Sequence, residues 1–471
     1  MFVFASEMKA LLAYDIPREL DQASLFSYFQ LNYIPSPASI LKSVSKMEPG
    51  HYLTIKDRKV QKECYYKIPY QERISSPPSY KAAQKQLGEL LEESVRKRLI
   101  SDVPLGCFLS GGLDSSIITA LASRNISGLK TFSIGYKEEP LFDETSYAQQ
   151  VAKKCRTDHT VFSLSNEELF GNLHEVLDYL DEPFADSSAL AVYILSKHTR
   201  KQVTVALSGD GADELFGGYN KHAAELTIRS RKSLTPLLAS TKLIWDRLPK
   251  SRNSWIGNKI RQLRKLSEGA ALSQRERYWL WAGYANEATI DPLLKTKSSN
   301  NTYQNRKAYI LKNINADFNS VLLTDINLVL QSDMLVKVDS MSMANSLEVR
   351  VPFLDFNIVD FAFSLPSDYK ISNKGRKLIL KDTFRSLLPE AIVSRAKHGF
   401  EVPLLKWLRT DLKTMITEDL LSKEFIEEQG LFNHSAIKQL LEQLFSANPD
   451  EATARIWGLI VFQYWWKKYM C

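Results

Sequence analysis

The sequence predicts an α/β protein built on a parallel sheet, followed by a largely helical C-terminal part and preceded by a short β-rich piece. Two observations carry this. Short apolar runs at 105–109, 131–136, 158–164 and 203–207 alternate with helical patterns at 114–123, 145–155 and 189–200, the rhythm of βαβ units. Two of the strand ends run into turns rich in Gly, Ser and Asp, at 110–116 and 208–213. In a parallel sheet such turns lie at the carboxyl ends of the strands, where ligands bind.

The first turn reads Ser110-Gly111-Gly112-Leu113-Asp114-Ser115-Ser116. A strand that ends in a glycine turn and re-emerges as a helix aims several N–H groups at one spot, with the positive end of the helix dipole behind them. That spot suits a nucleotide phosphate. A Walker loop would place Lys after its last Gly, whereas Leu113 and then Asp114 follow here. A carboxylate beside phosphates is tolerable when a divalent cation sits between them. The second turn, within Val-Thr-Val-Ala-Leu-Ser-Gly-Asp-Gly-Ala-Asp-Glu-Leu-Phe-Gly-Gly-Tyr at 203–219, adds Asp210 and Asp213.

The heptapeptide resembles the pyrophosphate loop of N-type ATP pyrophosphatases, and the preceding Val-Pro-Leu-Gly-Cys-Phe-Leu looks like that of the asparagine synthetase family. The resemblance implies cleavage of ATP between the α and β phosphates, AMP transfer to the side-chain carboxylate of aspartate, and displacement of AMP by ammonia. It implies an ATP site at Leu109, Ser110, Gly111, Gly112, Asp114, Ser115, Ser116, Ser208 and Gly209, with Ile134 against adenine. It places Mg²⁺ on Asp114 and Asp213. Asp210 stands where many members carry Glu, credited with assisting ammonia attack. The same loops serve relatives that amidate other carboxylates or close a lactam ring, so that class stands beside the aspartate reading.

Residues 333–355, Asp-Met-Leu-Val-Lys-Val-Asp-Ser-Met-Ser-Met-Ala-Asn-Ser-Leu-Glu-Val-Arg-Val-Pro-Phe-Leu-Asp, resemble the family's synthetase signature, with Ser340 where Arg is common. Met341 and Met343 read as core packing. Glu348 and Arg350, spaced i, i+2, would face different ways on a helix, so they are expected to reach separate partners around the active site as catalytic residues. In Ser394-Arg395-Ala396-Lys397-His398-Gly399-Phe400 the resemblance implies that Lys397 steadies charge on the α-phosphate as pyrophosphate leaves.

Phe4-Ala5-Ser6-Glu7-Met8-Lys9-Ala10-Leu11-Leu12, Pro49-Gly50-His51-Tyr52-Leu53 and Tyr65-Tyr66 look like the last part of a class II glutamine amidotransferase domain. That domain uses a cysteine exposed as its first residue, and this chain opens Met1-Phe2-Val3 with its first cysteine at Cys64. The expectation is a remnant over 1–66, either structural or a fragment of an incomplete gene model, that does not hydrolyse glutamine and has exposed strand edges. Free ammonia or a separate glutaminase subunit would then supply the nitrogen, and a homodimer is a further expected assembly. A non-catalytic interaction protein, decayed from a synthetase, is the alternative from another class. The synthetase part spans 80–471, divided into a core at 80–225, a basic helical segment at 226–300 and a helical part at 301–471.

Composition bounds the rest. A chain of 471 residues, 44% hydrophobic and 24% charged, has ample material for a core. Four cysteines without a paired motif suggest a reducing, cytoplasmic setting and no cysteine nucleophile. The seven histidines show no metal spacing, and His159 is read as a packing or hydrogen-bonding residue. The apolar stretch 456–466 is too short to span a bilayer and reads as a buried terminal helix. Between 229 and 265 stand eleven Lys or Arg and one acid, Asp246. Such a stripe could meet nucleic acid, an acidic partner or a membrane surface. The expectation is a solvated helical insertion, with no membrane or nucleic-acid partner.

Overall fold

The computed structural model describes residues 2–71, 74, 76–138, 143–231, 233, 235–248, 255–297, 299–395, 404–449 and 451–471. Near the N-terminus, helix α1 (Gln22–Leu31) is capped by Asp21, whose carboxylate accepts from the Ser24 amide at 2.8 Å. Its sequence, QASLFSYFQL, is apolar on nearly every face, and the helix is buried from Ala23 onward. A hairpin of β1 (His51–Lys56) and β2 (Lys59–Cys64) follows, almost wholly exposed. Then come α2 (Tyr80–Arg98), β3 (Leu105–Phe108), α3 (Leu113–Ala122), β4 (Lys130–Tyr136), α4 (Thr145–Cys155), β5 (Asp158–Leu164), α5 (Ser188–Thr199), β6 (Val205–Leu207) and α6 (Ala212–Phe216). The basic segment carries α7 (Thr235–Ser240), α8 (Lys242–Asp246) and α9 (Trp255–Ala270). Further on lie α10 (Leu335–Met343), β7 (Glu348–Arg350), the short pair β8 (Ile371–Ser372) and β9 (Gly375–Arg376), and the terminal helix α11 (Ala452–Tyr469).

The expected βαβ rhythm is present, and the sheet is parallel throughout in the order β5-β4-β3-β6-β7. From β3 the chain steps outward to β4 and β5, then returns to place β6 on the other side of β3. That reversal is a topological switch point, and the crevice of an open α/β sheet opens there. The loops after β3 and β6 are the two turns singled out in the sequence. Topology therefore brings segments about a hundred residues apart to one place.

Two expectations need correction. The N-terminal region is not β-rich: its strands are confined to the exposed hairpin, while α1 through Leu41 lies inside the core. An apolar helix has no solvent face to offer, so it packs against α11, where the Tyr28 hydroxyl donates to the Gly458 carbonyl at 2.8 Å. Among the methionines, Met341 is buried but Met343 is half exposed, because it lies two positions further round α10. The stretch 456–466 is indeed interior, and no helix among the described residues is long and apolar enough to cross a membrane. His159 is held between the Thr131 and Ser133 hydroxyls at 2.9 and 3.3 Å.

Candidate active site

The loop after β3 is organised by its own side chains. The Ser110 amide donates to Ser115 Oγ at 3.2 Å, the two hydroxyls lie 3.0 Å apart, and Ser116 Oγ donates to the Gly112 carbonyl at 2.6 Å. Gly111 adopts φ +72°, a left-handed conformation that favours glycine. Gly112 is the N-cap of α3, and the first amides of that helix have no side-chain cap, the end of a helix that favours an anion. Beside this loop, Leu109, Ser110, Phe132, Ile134, Glu144 and Leu195 line a small, mostly apolar crevice.

The loop after β6 packs directly on the first. A Cβ at Gly209 would lie 2.6 Å from the Ser115 amide nitrogen and 2.8 Å from the Asp114 carbonyl carbon, so only glycine permits this approach. The Ser208 hydroxyl donates to Asp210 Oδ2 at 2.7 Å, and its amide donates to the Arg350 carbonyl at 2.9 Å. Asp213 lies in the first turn of α6.

What joins the two acids is a lysine that sequence reasoning missed. Lys377 Nζ lies 2.7 and 2.6 Å from the two Asp114 oxygens and 2.6 Å from Asp213 Oδ1. It is buried and follows β9 with φ +53°, a left-handed backbone that costs a non-glycine residue about 1 kcal/mol. Such strain marks a position where geometry has been put ahead of local comfort. Burial works against the Lys377 charge, but the two carboxylates outweigh it and raise its pKa. Nothing near Gly375-Arg376-Lys377 announced this, since a single lysine after a short hairpin carries no motif.

A second buried charge cluster adjoins Asp210. Lys337 pairs with Asp186 at 2.7 Å. Burial opposes the Lys337 charge, and Asp186 and Asp333 more than compensate, holding its pKa up with a smaller contribution from Asp210. Burial, helped by Asp186, pushes the Asp333 carboxyl well above its usual range.

Lys397 lies outside the described residues. Its neighbour Arg395 donates to the Gly111 carbonyl at 3.0 Å, pairs with Glu144 and stacks 4.0 Å from the Tyr147 ring centre. Arg395 is thus pinned to the first loop.

Glu348 and Arg350 correct the helical reading. They lie on strand β7, where i and i+2 share a face, and they pair with each other at 2.7 Å. Arg350 also donates to the carbonyls of Arg98 and Ile100 at 2.8 and 2.7 Å, and Glu348 is exposed. These side chains brace the connection between α2 and β3. Only the Arg350 carbonyl reaches the second loop.

Comparison with known proteins accords with this geometry. Residues 86–467 match the family described as asparagine synthase, and residues 1–66 match a glutamine amidotransferase domain. The chain belongs to the asparagine synthase family. It is 30% identical over 471 residues to asparagine synthetase [glutamine-hydrolyzing] 1 of Bacillus subtilis, covering 98% of this chain and 71% of that protein. A putative asparagine synthetase of Mycobacterium bovis is 31% identical over 480 residues, with 98% and 70% covered. More distantly, amidase chry2 of Gibberella zeae is 22% identical over 96% of this chain and 72% of its own length. Membership of the asparagine synthase family makes the chain an ATP-using, amide-forming ligase.

Proposed function

We propose that the chain adenylates the side-chain carboxylate of aspartate and amidates it with ammonia, giving asparagine, AMP and pyrophosphate. The observation that carries this is the convergence of Asp114 and Asp213 on one ammonium at the switch point. A position built to hold positive charge between two hard carboxylates also suits Mg²⁺, with phosphate oxygens and water completing the shell. Among the described residues no third His, Cys, Asp or Glu joins them. Bound Mg²⁺ would neutralise the charge that develops on the departing pyrophosphate.

The chain's own groups supply the remaining roles. The uncapped amides of α3 hold phosphate oxygens, Lys377 contributes a cation beside them, and the crevice at Ile134 takes adenine. One acceptor carboxylate oxygen attacks the α-phosphorus, and the bond to the bridging oxygen breaks to release pyrophosphate. Lys397 balances charge on the α-phosphate in this reading. Ammonia then attacks the acyl carbon, a proton passes to Asp210 and AMP leaves. The Ser208 hydroxyl occupies Oδ2 of Asp210, directing the proton to Oδ1.

Aspartate-dependent exchange of labelled pyrophosphate into ATP tests the first half, and ¹⁵N-ammonium incorporation tests the second. Running glutamine in parallel identifies the nitrogen donor. Exchange driven by another carboxylate but not by aspartate would replace the acceptor, the outcome that the amidase-named relative and Ser340 make worth scoring. No exchange with any carboxylate would remove the catalytic reading altogether.

A further inference from the structure

The segment 229–265 carries eleven cations against Asp246 alone, and Asp246 is already matched by Lys242 at 2.5 Å and Arg264 at 2.9 Å. Arg231, Arg247 and Lys259 are exposed and engage no carboxylate among the described residues. Helices α7 and α8 both pack on α9. Large aliphatic side chains beside these cations are nonetheless left in water: Leu243 is 73% exposed, Leu237 and Ile256 66%, and Ile244 59%. On α9 the apolar stripe Ile256, Ile260 and Leu263 follows the i, i+4, i+7 spacing of one helical face, and Ile256 and Leu263 on it are exposed.

We propose that this helical segment is a peripheral membrane-contact surface, seating the protein on an anionic lipid bilayer. Charge complementarity selects an anionic partner, and the aliphatic residues select its kind. A nucleic-acid surface presents cations with aromatic platforms for stacking bases. Among the described residues of this segment the exposed large apolar groups are leucine and isoleucine, which insert at the level of the headgroups while Lys and Arg pair with lipid phosphates. The exposed aliphatics lie on three helices that pack together, and being already in water they need no core to unfold before they meet a bilayer. This contact differs from a span and is compatible with the buried position of α11.

Co-sedimentation of the full chain with sucrose-loaded vesicles tests the proposal. Binding is expected to phosphatidylglycerol–phosphatidylcholine vesicles, weakened about tenfold or more in high salt, and not to phosphatidylcholine alone. The quadruple variant L237S/L243S/I244S/I256S should lose about tenfold in vesicle binding, with an unchanged thermal midpoint showing that it folds. The charge-reversed R231E/R247E/K259E should lose binding to the same extent. Equal binding to neutral and anionic vesicles, or retention by the aliphatic variant, overturns the proposal. Tighter binding to an RNA oligomer than to vesicles, or a dimer that the aliphatic variant abolishes, overturns it in favour of those partners.

Discussion

At Gly218 the absence of a side chain is a condition of the site. A Cβ there would stand 1.8 Å from Asp213 Oδ1 and 2.1 Å from Lys377 Cε. Gly218→Ala is therefore expected to push these groups apart and lower pyrophosphate exchange by about a hundredfold or more, since a misplacement of about 1 Å costs that much. Near-native exchange would show that the triad is incidental. Lys370 is a second residue with a sharp consequence. It is fully buried, donates to Asn319 Oδ1 at 2.9 Å, and burial lowers its pKa from 10.5 to about 7. Below pH 7 the folded chain bears the whole cost of a buried charge, of the order of a few kcal/mol. Above it the folded form is neutral while the unfolded chain stays protonated toward 10.5, so the cost shrinks and stability rises with pH across that window. Lys370→Met should flatten this rise and increase the melting temperature at pH 7, because the hydrogen bond lost at Asn319 is worth only about 1 kcal/mol. A wild-type melting temperature that does not change between pH 7 and 9 would contradict the assignment.

Elements show where local pattern suffices and where it does not. Strands β3 to β6 and their helices were legible because a buried parallel sheet writes continuous apolar runs separated by amphipathic turns. The residues 348–350 are not: three residues give no period, and only pairing with β6 makes them a strand, so the helical spacing that assigned Glu348 and Arg350 separate partners does not apply to them. Helix α1 was missed for a related reason, since a helix that is apolar all round has no stripe to detect. Its cap is a testable joint. Asp21 holds the Ser24 amide and receives Arg306 at 3.0 and 2.8 Å. Burial raises the Asp21 pKa, but Arg306 outweighs it and holds it below the usual range. Asp21→Ala should cost about 1–2 kcal/mol in urea unfolding, and the wild-type contribution should fade as pH drops through the acidic range.

For the molecule as a whole, the first forty residues and the last twenty share one core. Trp465 is buried in it and donates to the Asp181 carbonyl at 2.9 Å. Trp465→Ala should destabilise the entire chain by about 3–5 kcal/mol, read as a shift of a single urea transition monitored by circular dichroism. Two separate transitions would show instead that the α11 core and the sheet unfold independently. By itself the sequence determined the two glycine-rich loops, the strands that carry them and the places of Asp114, Asp210 and Asp213 on them, because each is a local pattern of glycine, carboxylate and apolar run. Tertiary structure alone decided that Lys377 joins two of these acids, that Arg350 braces a strand connection, and that α1 belongs to the core. Those are contacts between residues far apart in the chain, and the side chains that make them leave no periodic trace.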